Sequence, residues 1–589
     1  MKKYVLTAIS LICCCSFLLA QEYATQFPPL NPESCTSIMV GKKASTDGSV
    51  MTSHTCDGNY RTWMEVVPAA QYEKDTTVAI YSGRMHTTTP DDRTGMTLKG
   101  SIPEARSTYQ FLNTSYPCLN EKQLGIGETT ISGRKELVNE KGMFMIEELA
   151  KIALQRCTTA RKAIRLMGDL VKKYGYGDWG ECLTIADPNE VWHFEVFGEG
   201  PDQIGGVWAA VRIPDDHVGV SANVPRISTL DLKDTDHYMA SENVFEVAKK
   251  LGFWDGKKPF RFWEAYAGGN YFGEKKSFSL REYYILNALA PSLHLSYDAE
   301  ELPISVKPDS AVSVQKVMAL LRETYAGSEF DVTKNLKVTT KNKETGLTDT
   351  IISPAANPWM TSDMITMLNG IKPNTVQKNR LVAVPQCSYS TVIQLRSWLP
   401  DAVGGVAWIS FDNPGQSPRI PVFSGTTSLP ACFAVCGQAA HREDAIVWKY
   451  RTANKLATVR WGATKETVLS AVAHFEEKGL SEMPFVENRY QTLSQTKGEE
   501  AARAYLTLYT ADFAGATILR WKKWPMHSGR NLPEGFNGYS FNFIHINTNK
   551  KAVPLFLWRQ PFGGMGFICC YSVIALILSL NSFHPLVLL

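Results

Sequence analysis

Cys35 is the residue whose surroundings in this 589-residue chain most favour covalent chemistry. It opens an apolar, β-prone run at residues 35–40, directly after a loop-like tetrapeptide at residues 31–34. Cleavage between Ser34 and Cys35 would give the cysteine a free α-amine. A cysteine thiol has a pKa of about 8.5 and an α-amine one of about 7.7–8.0. One residue would then carry both a nucleophile and its own base.

The segment that follows Cys35 predicts a β-hairpin. Residues 35–40 and 50–54 are β-prone, and an Asp-Gly pair at Asp47 and Gly48 separates them. This pattern is typical of two strands joined by a tight turn. A hairpin returns the end of its second strand to the start of its first, so we expect His54 to lie near Cys35.

Four segments in matching order resemble the dipeptidase A family of cysteine peptidases, within the N-terminal-nucleophile hydrolase superfamily. They are CTSIMVGKKASTDGS from Cys35, GIGETTISGR at 125–134, VIQLRSWLP at 392–400 and YTADFA at 509–514. The similarity extends from Cys35 to about Trp521. It implies an α+β fold, the four-layer αββα sandwich of that superfamily. It also implies a dipeptidase that exposes Cys35 by cutting its own chain.

The same resemblance implies further catalytic residues. In the superfamily the second strand ends with Arg-x-x-Asp, whose aspartate holds the α-amine and whose arginine steers the thiol. Asp57 matches that aspartate, but His54 stands where the arginine is expected. A histidine is not permanently charged, which puts the arginine's role in question. Asn223 matches the asparagine on the oxyanion side, where donors face the developing charge.

Two charged residues are candidates for substrate binding in a dipeptidase. Glu128 could pair with the free amino terminus of a substrate, and otherwise it is a solvated loop acid. Arg396 follows a β-prone run and could make a charged contact in the site, or else a structural salt bridge. The implied reaction needs no metal or organic cofactor. No cysteine and histidine spacing predicts a zinc site.

A run of strands, then two helices, then further strands predict sheets stacked on helices. Strands are predicted at residues 62–67, 77–81, 182–186, 191–197, 207–213, 218–223, 381–384, 390–395, 403–408 and 421–423, helices at 145–153, 159–174, 241–251, 464–477 and 499–519, and a loop at 85–104.

The composition and the two ends of the chain limit the classes of protein to which it can belong. The chain is 44% hydrophobic, and its net charge of +3 arises from 61 basic and 58 acidic residues without a basic block, which argues against nucleic-acid binding. Residues 1–20 predict a signal peptide, 21–34 a pro-segment, 35–521 the peptidase domain and 522–589 an atypical C-terminal extension. We therefore expect a secreted or periplasmic protein.

Alternatives remain open at both ends of the chain. Cys13, Cys14 and Cys15 allow only a poor lipoprotein signal, because no small residue precedes them in the required place. The apolar tail at residues 567–580 is shorter than a membrane span, and it could be a weak anchor or a non-native extension. Membrane contact is expected only if that tail is a real anchor. The sequence does not predict the oligomeric state.

Rival functions also remain open. The same machinery could hydrolyse another amide, such as a conjugated bile acid or a penicillin side chain, and the aromatic-rich stretch at residues 253–272 would permit that. A secreted carbohydrate- or protein-binding module with a dead site is supported only by the departure at His54. A papain-like enzyme is disfavoured, because Cys35 lacks a Gly-Ser-Cys-Trp-like context. His193 is predicted to be structural, since it alternates with Trp192 and Phe194 in a strand.

Overall fold

A computed structural model describes residues 34–58, 63–83, 87–268, 276–341, 344–438 and 440–527, and two short strands near the C-terminus. The chain divides into one unit over residues 1–527 and a second over 528–589. In the second unit Trp558–Arg559 and Met565–Gly566 pair as antiparallel strands. The predicted signal peptide, the pro-segment except Ser34, and the apolar tail lie outside the described residues.

The first unit is rich in short antiparallel strands. In chain order they are β1 Ser34–Val40, β2 Val50–Asp57, β3 Glu65–Val67, β4 Ala70–Gln71, β5 Thr77–Ser82, β6 Thr97–Pro103, β7 Ser107–Thr108, β8 Phe111–Asn113, β9 Leu119–Asn120, β10 Gly125–Thr130, β11 Glu181–Ala186, β12 Val191–Phe197, β13 Val207–Ile213, β14 Val218–Ser221, β15 Tyr238–Ala240, β16 Ser305–Val306, β17 Lys337–Lys341, β18 Thr348–Ile352, β19 Cys387–Leu395, β20 Val406–Phe411 and β21 Ile420–Phe423.

Two large sheets dominate this unit. The first sheet has the strand order β16-β14-β1-β2-β19-β20-β21, and the second has β15-β13-β12-β11-β10-β9-β8-β3. The pairs β4–β7, β5–β6 and β17–β18 form separate two-stranded sheets. The predicted hairpin is confirmed as β1 and β2, which lie in the middle of the first sheet.

The two sheets face each other across strands β1, β2, β10 and β11. Thr52 Oγ1 lies 2.6 Å from Thr184 Oγ1 of the opposite sheet. A Cβ atom at Gly127 would lie 2.2 Å from the carbonyl oxygen of Ser53. A side chain at Gly127 would therefore hold the sheets apart, so the close approach requires glycine.

Helices connect and cover these sheets. They are α1 Ile146–Arg156, α2 Ala160–Tyr174, α3 Val244–Lys250, α4 Phe262–Ala267, α5 Leu280–Leu289, α6 Val314–Leu320, α7 Ser362–Ile371, α8 Asp401–Gly404, α9 Ile446–Thr458, α10 Trp461–Lys497 and α11 Glu499–His527. Helix α2 packs on β11 and β12, and α11 packs on β21 beside α9 and α10. The expected mixture of helices and sheets is confirmed. None of the described helices is both long and apolar enough to cross a membrane.

Helix α2 illustrates why several predictions held. The Thr159 side chain accepts a hydrogen bond from the Lys162 backbone N–H at 3.4 Å, which caps the first turn. Its period predicts that Ala163, Leu166, Met167 and Leu170 face inward; Ala163, Met167 and Leu170 are buried, and Leu166 is half-buried. Gly175 has a φ of 81° and ends the helix.

Several element predictions were wrong in type or extent. The buried run at 381–384 is irregular, and the Ala383 N–H donates to the Glu323 carbonyl oxygen instead of a neighbouring strand. The predicted strand at 403–408 begins as the helical turn α8, where Gly404 N–H donates to the Pro400 carbonyl oxygen. The predicted loop at 85–104 contains β6, a largely exposed strand without the apolar alternation that would reveal it. The two late helices are longer than predicted and meet at Gly498.

Candidate active site

The hairpin brings Cys35 beside the end of β2. Asp47 Oδ1 accepts hydrogen bonds from the Ser49 backbone N–H at 3.0 Å and from its hydroxyl at 2.6 Å, while Gly48 takes a φ of 82° in the turn. With the turn so fixed, Ser34 pairs with Asp57 and Cys35 with Cys56 across the two strands. The register therefore positions Cys35 and its preceding residue next to Asp57.

The Cys35 thiol meets a carboxylate of the facing sheet. Its Sγ donates to Glu128 Oε2 at 3.3 Å, and both side chains are buried. Glu128 lies in β10, and the hydroxyl of Thr130 donates to its other oxygen at 3.0 Å. Burial and then Glu128 raise the pKa of the Cys35 thiol well above its usual value, so the thiol keeps its proton in the uncleaved chain.

A second buried carboxyl group adjoins Glu128. Glu181 lies in β11, cross-strand from Thr130. Burial and then the neighbouring Glu128 raise the pKa of Glu181 well above its usual value. Glu128 and Glu181 are thus adjoining buried carboxyl groups, and their burial and mutual repulsion disfavour ionising both at once. The pair gives the thiol side of the site an acidic character.

His54 lies beside Cys35 as the hairpin predicts, but it does not carry the arginine's charge. Its Nδ1 is 2.6 Å from the Glu128 carbonyl oxygen, which fits an Nδ1–H that donates there. Burial lowers the pKa of His54 to about 4, so the ring is neutral at neutral pH. The ring packs against Tyr116 and Tyr389, with centroids 5.4 and 5.6 Å away.

Asp57 faces the bond that precedes Cys35. Its Oδ2 accepts from the Thr55 hydroxyl at 3.0 Å and from Arg380 Nη2 at 2.8 Å. Its Oδ1 is buried, and no hydrogen-bond partner for it lies among the described residues. A buried carboxylate oxygen in that state calls for a donor.

Asn223 contacts the nitrogen of Cys35 directly. It follows β14 in the left-handed conformation, with a φ of 65°, which turns its side chain out of the strand. Its Oδ1 accepts from the Cys35 N–H at 2.9 Å, and its Nδ2 donates to the Thr130 carbonyl oxygen at 2.6 Å. The expected donor to an oxyanion is thus also an acceptor for the nucleophile's nitrogen.

The cation next to Cys35 is Arg281, which the sequence analysis missed. It lies in the first turn of α5, a helix at whose start the Ser279 backbone N–H donates to the Glu282 carboxylate. The Arg281 guanidinium donates to the Cys35 carbonyl oxygen at 2.5 Å and to Asn223 Oδ1 at 2.8 Å. The cap signal could have located this helix start. Nothing local to the sequence indicates that its arginine reaches β1.

Arg380 was also missed. Its Nε and Nη2 donate to the Ser34 hydroxyl at 3.2 and 2.5 Å, and Nη2 also donates to Asp57. About a quarter of its side chain is exposed (26%), whereas that of Asp57 is fully buried (0%). The guanidinium therefore joins the Ser34 side chain to Asp57.

Arg396 does not lie with these residues. It follows Leu395, which pairs with Val50 at the end of β2 remote from Asp57. Its guanidinium donates to the carbonyl oxygens of Gly404 at 3.0 Å and Val403 at 2.7 Å. The structural salt bridge, here with Glu487, is the role its surroundings support.

His193 is structural, as predicted. Its Nε2 lies 2.8 Å from Glu195 Oε1, and that oxygen also accepts the Ile227 N–H at 3.1 Å. Burial opposes its charge, yet Cys182 and Glu195 raise the pKa of His193 to about 10. The buried pair thereby holds the loop that follows Asn223.

One group of possible metal ligands occurs in this cluster. Donor atoms of Cys35, His54 and Glu128 all lie within 4.8 Å of one another. Thiolate, imidazole and carboxylate are ligand types that zinc accepts. Here, however, the thiol donates to the Glu128 carboxylate, and the imidazole bonds to the Glu128 backbone. The geometry fits proton transfer within the cluster.

Comparison with known proteins decides the family. A family model, peptidase family C69, matches residues 34–474. The chain belongs to peptidase family C69. The C69 match includes Cys35 and every residue described above around it, and it ends within α10.

Curated relatives agree with the C69 assignment. A probable dipeptidase of Latilactobacillus sakei is 26% identical over 463 residues, covering 76% of this chain and 85% of the relative. A probable dipeptidase of Salmonella dublin is 25% identical over 410 residues, covering 67% and 81%. A probable dipeptidase B of Lactococcus lactis is 24% identical over 417 residues, covering 68% and 76%. This C69 protein is a cysteine-type peptidase.

Proposed function

We propose that this protein is an exported dipeptidase whose nucleophile is Cys35, set free by self-cleavage at the Ser34–Cys35 bond. The observation that carries the proposal is that the thiol and the nitrogen of Cys35 each meet a separate polar group. The thiol donates to Glu128 and the nitrogen to Asn223. The sulfur and the nitrogen of an N-terminal cysteine nucleophile would thus each have a hydrogen-bond partner. The names of the relatives, probable dipeptidases, support the choice of substrate.

Self-cleavage needs a base other than the α-amine, because the Cys35 nitrogen is still an amide. Glu128 Oε2 accepts the thiol hydrogen bond and can take the proton. Sγ then forms a bond to the Ser34 carbonyl carbon, and the bond from that carbon to the Cys35 nitrogen breaks. The proton held by Glu128 goes to the departing nitrogen, and water hydrolyses the thioester. The products are a carboxylate at Ser34 and an α-amine at Cys35.

In turnover the new α-amine replaces Glu128 as the base. It takes the thiol proton, Sγ attacks the peptide carbonyl, and the ammonium protonates the leaving amine. Asp57 Oδ1 and Asn223 Oδ1 hold the nitrogen, while the second N–H of Asn223 Nδ2 and backbone N–H groups serve the oxyanion. Arg281 supplies the fixed positive charge that His54 lacks. The same amine then activates water to cleave the thioester.

The carboxyl pair at the thiol supports the proposal that the substrate has a free amino terminus. A dipeptide that acylates Cys35 carries an ammonium group one carbon from the reacting carbonyl. Glu128 adjoins Sγ, and Glu181 adjoins Glu128. A buried carboxylate binds a substrate ammonium through charge-assisted hydrogen bonds. This supports the amine-binding role expected for Glu128.

We also propose that the unit has the four-layer αββα sandwich of the N-terminal-nucleophile hydrolases. Support comes from two antiparallel sheets in mutual contact, with helices packed on β11 and β12 and on β21. Such a sandwich puts the start of β1 at the edge of the inner layers, where a substrate can enter.

The acyl-amide alternative loses its main argument. Aromatic residues that suggested a wide acyl pocket pack on one another: the ring centroids of Phe260 lie 4.9 Å from Phe245 and 5.2 Å from Trp254. Phe262 and Tyr266 are buried in the same apolar cluster, against which these rings pack. Tyr271 and Phe272 lie outside the described residues.

A paired assay tests the proposal. The purified protein should hydrolyse simple dipeptides and leave N-acyl amides of the bile-salt and penicillin type uncut, and Cys35→Ala should abolish the activity. Cys436→Ala is a matched control, since this partly exposed cysteine lies outside the site. Hydrolysis of acyl amides alone, or full activity in Cys35→Ala, would refute the proposal. Export is tested by recovering the chain outside the cytoplasm without its first residues.

A further inference from the structure

Arg380 makes contacts that self-cleavage would remove. The Ser34 hydroxyl accepts hydrogen bonds from its Nε at 3.2 Å and its Nη2 at 2.5 Å. Nη2 also donates to Asp57 at 2.8 Å, and Nη1 donates to the Leu381 carbonyl oxygen. When Ser34 leaves with the pro-segment, Nε and part of Nη2 lose their acceptor, while Asp57 still anchors the group.

The vacated position suits an anion. A guanidinium presents its N–H groups in a planar fork that matches the two oxygens of a carboxylate. In the uncleaved chain the Ser34 hydroxyl oxygen occupies one acceptor position of that fork. The partial exposure of Arg380 leaves that position accessible to a small solute.

The reaction geometry indicates which part of a substrate arrives there. The α-amine of Cys35 must reach the leaving nitrogen to protonate it, so the leaving residue lies on the nitrogen side of Cys35. That side is where Ser34 stood, next to Asp57 and Arg380. In a dipeptide the terminal carboxylate is joined to the leaving nitrogen through a single carbon. The Glu128 carboxylate contacts the thiol of Cys35, and Glu181 adjoins Glu128.

We propose that Arg380 binds the C-terminal carboxylate of the substrate and thereby restricts the enzyme to dipeptides; this rests on the proposed function. The site then holds a zwitterion, with the ammonium at the carboxyl pair and the carboxylate at Arg380. A longer peptide or a C-terminal amide would present a neutral group to the guanidinium, and the N–H groups that Ser34 vacates would then lack a charged acceptor.

The test compares alanyl-alanine with its C-terminal amide. Wild-type kcat/KM should favour the free acid by about 10- to 100-fold, as expected for a charge-assisted hydrogen-bonded pair. Arg380→Gln should lose that preference by slowing the acid and sparing the amide, and Arg380→Lys should keep part of it. Arg442→Gln is the matched control, since this exposed arginine pairs with Asp444. Each preparation is first checked for Cys35 at its N-terminus.

Two outcomes would overturn the assignment. Equal wild-type rates on the acid and the amide would show that no residue reads the carboxylate, and the dipeptidase proposal would survive. An equal loss on both substrates in Arg380→Gln would show that Arg380 only positions Asp57. If Arg380 variants stay unprocessed, competition in the wild type decides: free alanine should inhibit and alaninamide should not, and equal inhibition would refute the role. A wild type that cuts neither substrate refutes the dipeptidase itself.

Discussion

At the residue scale, burial decides the charge of the site. A protonated His54 imidazole would be buried without the water that stabilises its charge, and Glu128 Oε2 lies 3.8 Å from its Nδ1, beyond hydrogen-bond distance. The ring is therefore neutral, and the positive charge near Cys35 comes from Arg281. A pH dependence of activity near pH 7 should then reflect the Cys35 thiol and amine.

Acid should destabilise the protein through His54. Because its folded pKa of about 4 is below the usual value of 6.5, the unfolded chain binds this proton between those limits and the folded chain does not. The stability contribution is complete above pH 6.5 and is lost as the pH falls, by about 2 kcal/mol between pH 7 and 5. The free energy of unfolding, measured in urea at pH 7 and pH 5, should therefore fall by about 2 kcal/mol less in His54→Gln than in the wild type.

His474→Gln is the control for this experiment, because His474 is exposed on α10. It should show the wild-type loss of stability on acidification. If His54→Gln loses as much stability on acidification as the wild type does, His54 is not a buried neutral histidine in the folded protein.

Glu128 should control the rate of self-cleavage. Glutamine at this position can accept the thiol hydrogen bond but cannot take the proton, so Glu128→Gln should slow the cut about 100-fold or more. Intact mass of freshly purified protein, followed over time, would show the precursor accumulating. Glu477→Gln, an exposed change on α10, should process normally. Normal processing in Glu128→Gln would show that Glu128 is not the base for self-cleavage.

At the scale of elements, the close approach of β10 to β2 fixes the distance between Glu128 and Cys35. Gly127 permits that approach, since a Cβ there would lie 2.2 Å from the Ser53 carbonyl oxygen and 2.5 Å from Thr184 Oγ1. The neighbours are backbone and a bonded hydroxyl, which cannot yield easily. The spacing between the two sheets therefore determines whether Glu128 can contact the Cys35 thiol.

Gly127→Ala should lower the melting temperature and the rate of self-cleavage together. An overpacked contact of this kind costs about 1–3 kcal/mol. Gly370→Ala is the contrasting control, because a Cβ there meets nothing within 4 Å and α7 gains a better helix former. Thermal unfolding of both variants checks the prediction. An unchanged melting temperature in Gly127→Ala would contradict the close packing.

Local patterns predict the elements and part of the site. The β-prone runs on either side of Asp47 and Gly48 were enough to predict the hairpin. The hairpin in turn was enough to predict that His54 lies beside Cys35. Arg281 and Arg380 escaped because their contacts with β1 span 246 and 346 residues of sequence. No local rule tells where such long side chains point. The sequence correctly predicts the strand that precedes Arg396. It does not show that Arg396 lies at the end of that strand remote from Asp57.

At the scale of the whole molecule, the site exists only in the folded unit. Cys35, Asn223, Arg281 and Arg380 come from four separate parts of the chain, and they meet only when the first sheet and its neighbouring segments have assembled. Self-cleavage should thus follow folding. Before it, the thiol is protonated and buried, and the nitrogen is an amide that cannot act as a base.

The N-terminal residue of the active protein is the most direct test of this account. Edman sequencing and intact mass should be measured on the wild type and on Cys35→Ala, with dipeptidase activity assayed on the same samples. The wild type should begin at Cys35 and hydrolyse dipeptides, and Cys35→Ala should retain Ser34 and be inactive. An active wild type that does not begin at Cys35, or a Cys35→Ala protein that still cuts dipeptides, would contradict the central claim.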